Sequence, residues 1–260
     1  MIKLSYLLIF ALAILFFTSC ERGTSDADSV RIRQIANNSD FGNPLYEFEY
    51  GNDGMLSRII ELYDDYKCIS EILYNSNNQP TSINSMEYIE ESIFSTITKT
   101  IIWDAKGFTL GEEDSNTKKV YLLDTKERIK SVVELYKNSE TQVFDTLGID
   151  YYWTDETHLK ISHTYKPPYS SENADWEEDF YFNSGNSPLS GLHIALLVTS
   201  TVELAEWVEL QNQYCTKRFV DKYLSADITY DFNSNNYPTK ADIKYGDGYH
   251  DYLYFKYESR

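Results

Sequence analysis

Apolar side chains recur two residues apart through most of this chain, and the positions between them are polar. Ile149, Tyr151 and Trp153 alternate around Asp150, and Leu159, Ile161, His163 and Tyr165 alternate around Lys160, Ser162 and Thr164. The same rule holds for Tyr46, Phe48 and Tyr50, for Ile228 and Tyr230, for Ala241, Ile243 and Tyr245, and for Leu253, Phe255 and Tyr257. A strand sends successive side chains to opposite faces, so this pattern predicts half-buried β-strands with one wetter face.

Between the alternating stretches an aromatic or apolar residue is followed by a short cluster of Asp, Asn, Gly and Ser, residues that tolerate turn conformations. Seven copies begin at Tyr50, Tyr74, Trp103, Leu123, Trp153, Phe182 and Tyr230, separated by 24, 29, 20, 30, 29 and 48 residues. A separation of 20 to 30 residues fits two strands and two turns. The expectation is a mainly β fold: an antiparallel meander of repeated hairpins forming a curled sheet or open barrel. The long interval holds Ser200-Thr201-Val202-Glu203, which fits a capping box, followed by Leu204, Trp207, Val208 and Tyr214 at helical spacing. This predicts one short helical insertion near residues 200–215, whose apolar stripe covers an end or a face of the sheet.

The N-terminus follows different grammar. After Lys3, an apolar run from Tyr6 to Phe17 ends at Thr18-Ser19-Cys20 and gives way to a polar stretch. The run reads as a signal peptide, and with Cys20 it resembles the bacterial lipobox, with Phe17 where that pattern prefers Leu. The resemblance implies cleavage before Cys20 and lipidation of its sulfur, which would anchor the chain to a membrane stably once two or three acyl chains are attached. The expected organisation is a lipoprotein signal peptide over 1–19, the lipidated cysteine and a flexible tether over 20–40, and a single repetitive β domain over 41–260.

Forty-one Asp and Glu against 23 Lys and Arg give a formal net charge of −18. That surplus repels phosphate backbones and anionic headgroups, so no nucleic-acid partner is expected and membrane attachment falls to the lipid. With Cys20 lipidated, Cys68 and Cys215 remain; a disulfide between them is possible in an extracytoplasmic compartment, and two separate buried thiols are the alternative.

Signals for chemistry are sparse. His158 and His163 differ by five residues and so face opposite sides of a continuous strand, which argues against a shared zinc. The oxygens of Asp231, Asn233, Asn235 and Asp242 imitate a calcium loop, but Asn236 stands where Gly is wanted, Asp242 where Glu is usual, and the cluster also reads as a hairpin turn. The acidic runs Glu112-Glu113-Asp114 and Asp175-Trp176-Glu177-Glu178-Asp179 offer carboxylate pairs for glycoside hydrolysis, and Trp176 an aromatic plate for a sugar, although solvated loops explain both. No catalytic, metal or cofactor site is expected. Twenty-three Tyr in the chain suit a sheet whose wetter face resists edge pairing or presents a ligand surface. Asp28-Ser29-Val30 and Asp145-Thr146-Leu147 match short acceptor triplets for O-glycosylation.

The segments Ser187-Pro188-Leu189-Ser190-Gly191-Leu192, Tyr230-Asp231, Asn236-Tyr237-Pro238-Thr239-Lys240 and Tyr252 to Tyr257 together resemble a Bacteroidetes-type lipoprotein family classed as a domain of unknown function, with Tyr/Asp-type hairpin repeats. The resemblance covers about residue 41 to the end and implies a fold without a biochemical role. The expected function is a non-enzymatic lipoprotein of the cell envelope, anchored to the outer membrane, with a binding or scaffold role toward a glycan or an envelope protein. A carrier of a lipid or other apolar ligand in a half-open barrel is the alternative, and a glycan-acting hydrolase the third.

Overall fold

The computed structural model describes residues 30–63, 65–112, 117–137, 144–166, 176–189, 214–220 and 225–259. Sixteen strands follow one another in these segments: β1 Val30–Ala36, β2 Pro44–Tyr50, β3 Leu56–Tyr63, β4 Tyr66–Tyr74, β5 Pro80–Ile89, β6 Ser92–Trp103, β7 Gly107–Glu112, β8 Thr117–Leu123, β9 Ile129–Lys137, β10 Phe144–Asp155, β11 His158–Lys166, β12 Trp176–Asn186, β13 Tyr214–Val220, β14 Ser225–Phe232, β15 Pro238–Tyr245 and β16 His250–Ser259. Each pairs antiparallel with its sequence neighbours, and β16 lies beside β1, so the meander is a closed barrel. The expected curled sheet or open barrel is therefore corrected to a closed one. Closure removes the two edges that an open sheet would leave unpaired. The barrel belongs to the compact unit Ile32–Glu258; a second unit comprises Met1–Arg31 with Ser259–Arg260.

Two further expectations change. Most of the helix expected near residues 200–215 lies outside the described residues, but its last two positions, Tyr214 and Cys215, open strand β13. Residues Val30–Ala36, read from sequence as tether, form β1, and Ile32 and Ile35 are buried there.

All seven turn copies fall on one rim, the rim where even-numbered strands end and odd-numbered strands begin. Their recurrence has a mechanism. In each, an Asp or Asn side-chain oxygen accepts the backbone N–H two residues on: Asp53 from Met55 (3.0 Å), Asn75 from Asn77 (2.9 Å), Asp104 from Lys106 (2.6 Å), Asp124 from Lys126 (2.8 Å), Asp155 from Thr157 (2.6 Å), Asn183 from Gly185 (2.7 Å) and Asn233 from Asn235 (3.0 Å). Four of the turns also place a residue in the left-handed region: Gly54, Asn78, Glu127 and Asn236, at φ 79°, 60°, 61° and 62°. This is the three-residue hairpin loop that ends in a bulge. The copy at Phe182 differs, because Asn183 to Asn186 form the bulged end of β12 instead of a tight turn.

Aromatic residues near this rim have their own task. Tyr50 Oη donates to the Ile32 carbonyl (2.9 Å), Tyr74 to Leu56 (2.7 Å), Trp103 Nε1 to Pro80 (2.8 Å), Tyr230 to Thr216 (2.7 Å) and Tyr257 to Pro238 (2.8 Å). In each case the polar tip of an inward ring satisfies a carbonyl on the preceding strand. The rings themselves pack against the core, as the amphipathic character of Tyr and Trp allows.

Below that rim the interior is apolar and sealed. Phe48, Ile59, Ile83, Phe108, Ile129 and Leu159, from six strands, are each at most 2% exposed. Sixteen strands in a round barrel would enclose an aqueous channel and wet these side chains. Their dryness means that this layer is covered and does not line a water-filled channel.

The turn geometry makes a prediction. Glu127 holds a left-handed conformation that costs a non-glycine residue about 1–2 kcal/mol, so Glu127→Gly is expected to stabilise the fold by about 0.5–1 kcal/mol after the added freedom of the unfolded chain is counted. Gly107→Ala should do the reverse, because its Cβ would fall 1.9 Å from the Tyr121 carbonyl oxygen. Thermal melting should rank Glu127→Gly above wild type and Gly107→Ala below it; a Glu127→Gly protein that melts lower would contradict this reading of the turns.

Candidate functional site

Inward parity carries apolar residues near the tight-turn rim and ionisable ones farther in. Glu61 lies five residues beyond Leu56, Lys99 four before Trp103, Lys119 four before Leu123, Glu134 five beyond Ile129, His163 four beyond Leu159 and Glu178 four before Phe182. At roughly 3.3 Å per residue this is a belt about 13–17 Å along the strands from the rim. It runs along the inner faces of β3, β6, β8, β9, β11 and β12. Glu61, Lys99, Glu134, His163 and Glu178 are all buried.

Two acid and base pairings and one buried acid make up the belt. Lys119 and Glu134, opposite each other on β8 and β9, form an ion pair. His163 Nε2 lies 3.1 Å from Glu178 Oε1 on β12. Glu61 is placed between Tyr46 of β2 and Cys68 of β4 by cross-strand register, with Lys99 and Glu87 near enough for their charges to act on it. Glu61 is 1% exposed, and neither of its carboxylate oxygens has a hydrogen-bond partner among the described residues. Burial pushes its carboxyl up to about 7, against the opposing pull of Lys99 and with help from Glu87. Around it, the hydroxyls of Tyr46 and Tyr63 bond to each other, and Ser70 and Ser85 share a hydrogen bond of 2.8 Å. Burial likewise raises the Tyr121 phenol, and the charge of Glu134 adds to the effect.

A charge taken out of water costs stability unless it is well paired. Such groups inside an otherwise apolar barrel mark the interior as the first place to look for a role. Alternation held the signal: Glu61, Lys99, Glu134 and Glu178 stand at positions whose parity is otherwise apolar.

The residues singled out from sequence are distributed elsewhere. His158 and His163 do face opposite sides: His158 is outward, 2.7 Å from Asp179 Oδ1 and stacked on Tyr181, whereas His163 is inward. The acidic run ending at Asp179 is strand, not loop, from Trp176 onward. Alternation sends Glu177 out to Lys160 (2.7 Å) and Asp179 out to His158, while Glu178 points in, so the run supplies no adjacent carboxylate pair on one face. Of the other acidic run, Glu112 ends β7, and Glu113 and Asp114 lie outside the described residues. Asn233 Oδ1 is committed to the turn, where it accepts the N–H groups of Asn235 and Tyr237 (both 3.0 Å). Asp242, the last member of the imitation calcium loop, sits on the outer wall 3.2 Å from His250 Nδ1. Cys68 on β4 and Cys215 on β13 are both buried, the first 3.8 Å from Ser70 Oγ and the second 3.2 Å from the Asn186 carbonyl. Cys20 lies outside the described residues.

No protein-family model matches the chain. No curated protein matches it in sequence either. Among solved structures it is similar to a porin-like protein from Bacteroides uniformis ATCC 8492, with 11% identity and a TM-score of 0.42 over 77% of this chain and 94% of that one. It is also similar to a porin-like protein from Bacteroides vulgatus ATCC 8482, with 10% identity and a TM-score of 0.44 over 88% of this chain and 99% of that one. Likeness this distant assigns neither a membrane topology nor a role, which must come from the wall itself.

Glu61 sets the expected pH response. Its folded value near 7 stands above its ordinary 4.5, so the folded state holds a proton that the unfolded chain releases. The contribution is neutral below about pH 4.5, turns destabilising as pH rises through that window and levels off above 7, at up to about 3 kcal/mol. Denaturant melts of Glu61→Gln against wild type should agree near pH 4.5 and diverge in favour of the variant by pH 8. Parallel stability curves for the two proteins over that range would show that Glu61 is not buried as charge.

Proposed function

We propose that this protein is a cell-envelope binding module whose barrel stands in water and whose hold on the membrane is the lipid on Cys20. The observation that carries the reading is the polarity of the barrel wall. A barrel that spans a bilayer turns an apolar band outward and a polar lining inward. Here charged pairs stand on the outer wall and most large apolar side chains pack inside. The outer face of β2, β3 and β4 carries Glu49, Arg58 and Glu71, with Arg58 bridging the two acids at 3.0 and 2.6 Å. Farther round, Lys160 pairs with Glu177 at 2.7 Å and Arg218 lies 3.8 Å from Asp227. Exposed pairs of this kind add little stability in water, but at the midplane of a bilayer a single Arg or Lys costs about 2–4 kcal/mol. The inward face holds Ile, Leu, Phe and Tyr, with the ionisable belt of Glu61, Lys99, Glu134, His163 and Glu178 farther from the tight-turn rim.

A carrier with an open apolar interior is the weaker reading, since the side chains from Phe48 to Leu159 beneath the tight-turn rim are already covered. A binding or scaffold role leaves the partner to the outer wall and the rims, and it needs no catalytic constellation.

Fractionation of cells producing the wild type and Cys20→Ser tests the proposal. The wild type should sediment with membranes and yield to detergent, while Cys20→Ser should move to the soluble fraction. A Cys20→Ser protein whose leader has been removed and that still stays in the membrane through alkaline carbonate would mean that the wall itself is inserted.

A further inference from the structure

Strand β6 outruns its neighbour. It extends over Ser92–Trp103, whereas β7 extends over Gly107–Glu112, and their register stops at Lys99 opposite Glu112. On its other side β6 pairs with β5 to the tip, where Ile89 faces Ser92. From Ser92 to Thr98, therefore, one edge of β6 has no strand partner among the described residues. Proteins normally defend such an edge with a charge or a proline. The sequence Ser92-Ile93-Phe94-Ser95-Thr96-Ile97-Thr98 has neither and is rich in β-branched residues.

Three other features mark the same place. Ile89, Ile93 and Phe94 are 44%, 63% and 70% exposed, and of the large apolar side chains of β6 only Ile102, at 64%, is comparable. A bulge where Glu87 and Tyr88 meet Ser95 and Ile93 leaves Phe94 as the extra residue, and bulges re-aim side chains in this way. The two-residue loop consists of Glu90 and Glu91, both at positive φ (48° and 65°), a conformation that loops of this length usually assign to Asn and Gly. Strain of this sort persists where the surroundings or a role require it.

We propose that the β6 edge is a docking site for an extended segment of a basic partner protein, which adds to the sheet as a further strand. Backbone pairing would supply affinity, and Ile93 and Phe94 would meet alternate apolar side chains of the guest. Charge selects the occupant. Asp65, Glu90 and Glu91 stand exposed together at the tip, where the Glu90 N–H donates to the Asp65 carbonyl at 3.2 Å, and the chain as a whole carries −18. A second copy of the same acidic chain is repelled, whereas a guest with Lys or Arg beside its apolar residues is drawn in.

The test uses the full-length lipid-anchored protein in detergent and a capped, dye-labelled peptide of alternating Lys and Val, read by fluorescence anisotropy at physiological salt. Its controls are an alternating Glu and Val peptide and a Lys and Val peptide N-methylated at every second residue, which keeps its charge but cannot pair along the strand. The Lys and Val peptide should bind at least tenfold tighter than either control. The double variant Ile93→Ser, Phe94→Ser, with its far-ultraviolet spectrum unchanged, should weaken it at least tenfold. Equal binding of the N-methylated peptide, which reduces the effect to charge alone, overturns the proposal, as does no binding by any of the three; should the double variant fail to fold, the N-methylated comparison on the wild type decides.

Discussion

A closed sheet has two faces, and each must be matched to the medium it meets, because a side chain cannot change face without shifting the strand by one residue and carrying every other side chain with it. In this barrel the rule puts Arg58, Lys160, Glu177, Asp179 and Asp227 outside and Phe48, Ile59, Phe108, Ile161 and Phe180 inside. The rest depends on that assignment. It is what the proposed reading rests on, in which water is the outer medium and membrane attachment is left to a lipid. It also makes each inward-facing charge a conspicuous cost.

The two ends of the strands are specialised differently. At the tight-turn rim, Asx turns fix the chain reversals and the Tyr and Trp tips tie five of the strands to a carbonyl of the strand before, so backbone polar groups find partners next to an apolar layer. Farther along come the ionisable belt and, at the other rim, the long β5–β6 hairpin with its strained Glu90-Glu91 loop. A rigid end paired with a less regular one is an arrangement that suits a scaffold presenting a binding surface.

The hairpins were legible because their signals are local. An Asp or Asn oxygen can capture an N–H two residues away whatever the rest of the chain does, so the clusters from Asp53 to Asn233 mark turns in isolation. Closure was not legible, because it depends on β1, where Ile32 and Ile35 are buried three residues apart and Arg31, Arg33 and Gln34 give the stretch the look of a linker. The belt was written in the alternation but camouflaged by an acidic composition, in which Glu61 and Glu134 resemble any other surface carboxylate until register turns them inward. Read on its own, the run around Glu178 passes for a solvated loop; only its pairing with β11 divides it between two faces.

Cysteine scanning along β15 tests the orientation of the wall most directly. In a Cys68→Ser, Cys215→Ser background, residues 240 to 244 would be replaced one at a time by cysteine, and the protein in the cell-envelope fraction treated with a charged, membrane-impermeant maleimide. Labelling is predicted to be fast at Lys240, Asp242 and Lys244, which face out, and slow at Ala241 and Ile243, which pack inside. The opposite alternation, with 241 and 243 labelled and 240, 242 and 244 protected, would describe a lipid-facing exterior around a water-filled lumen and would contradict the account.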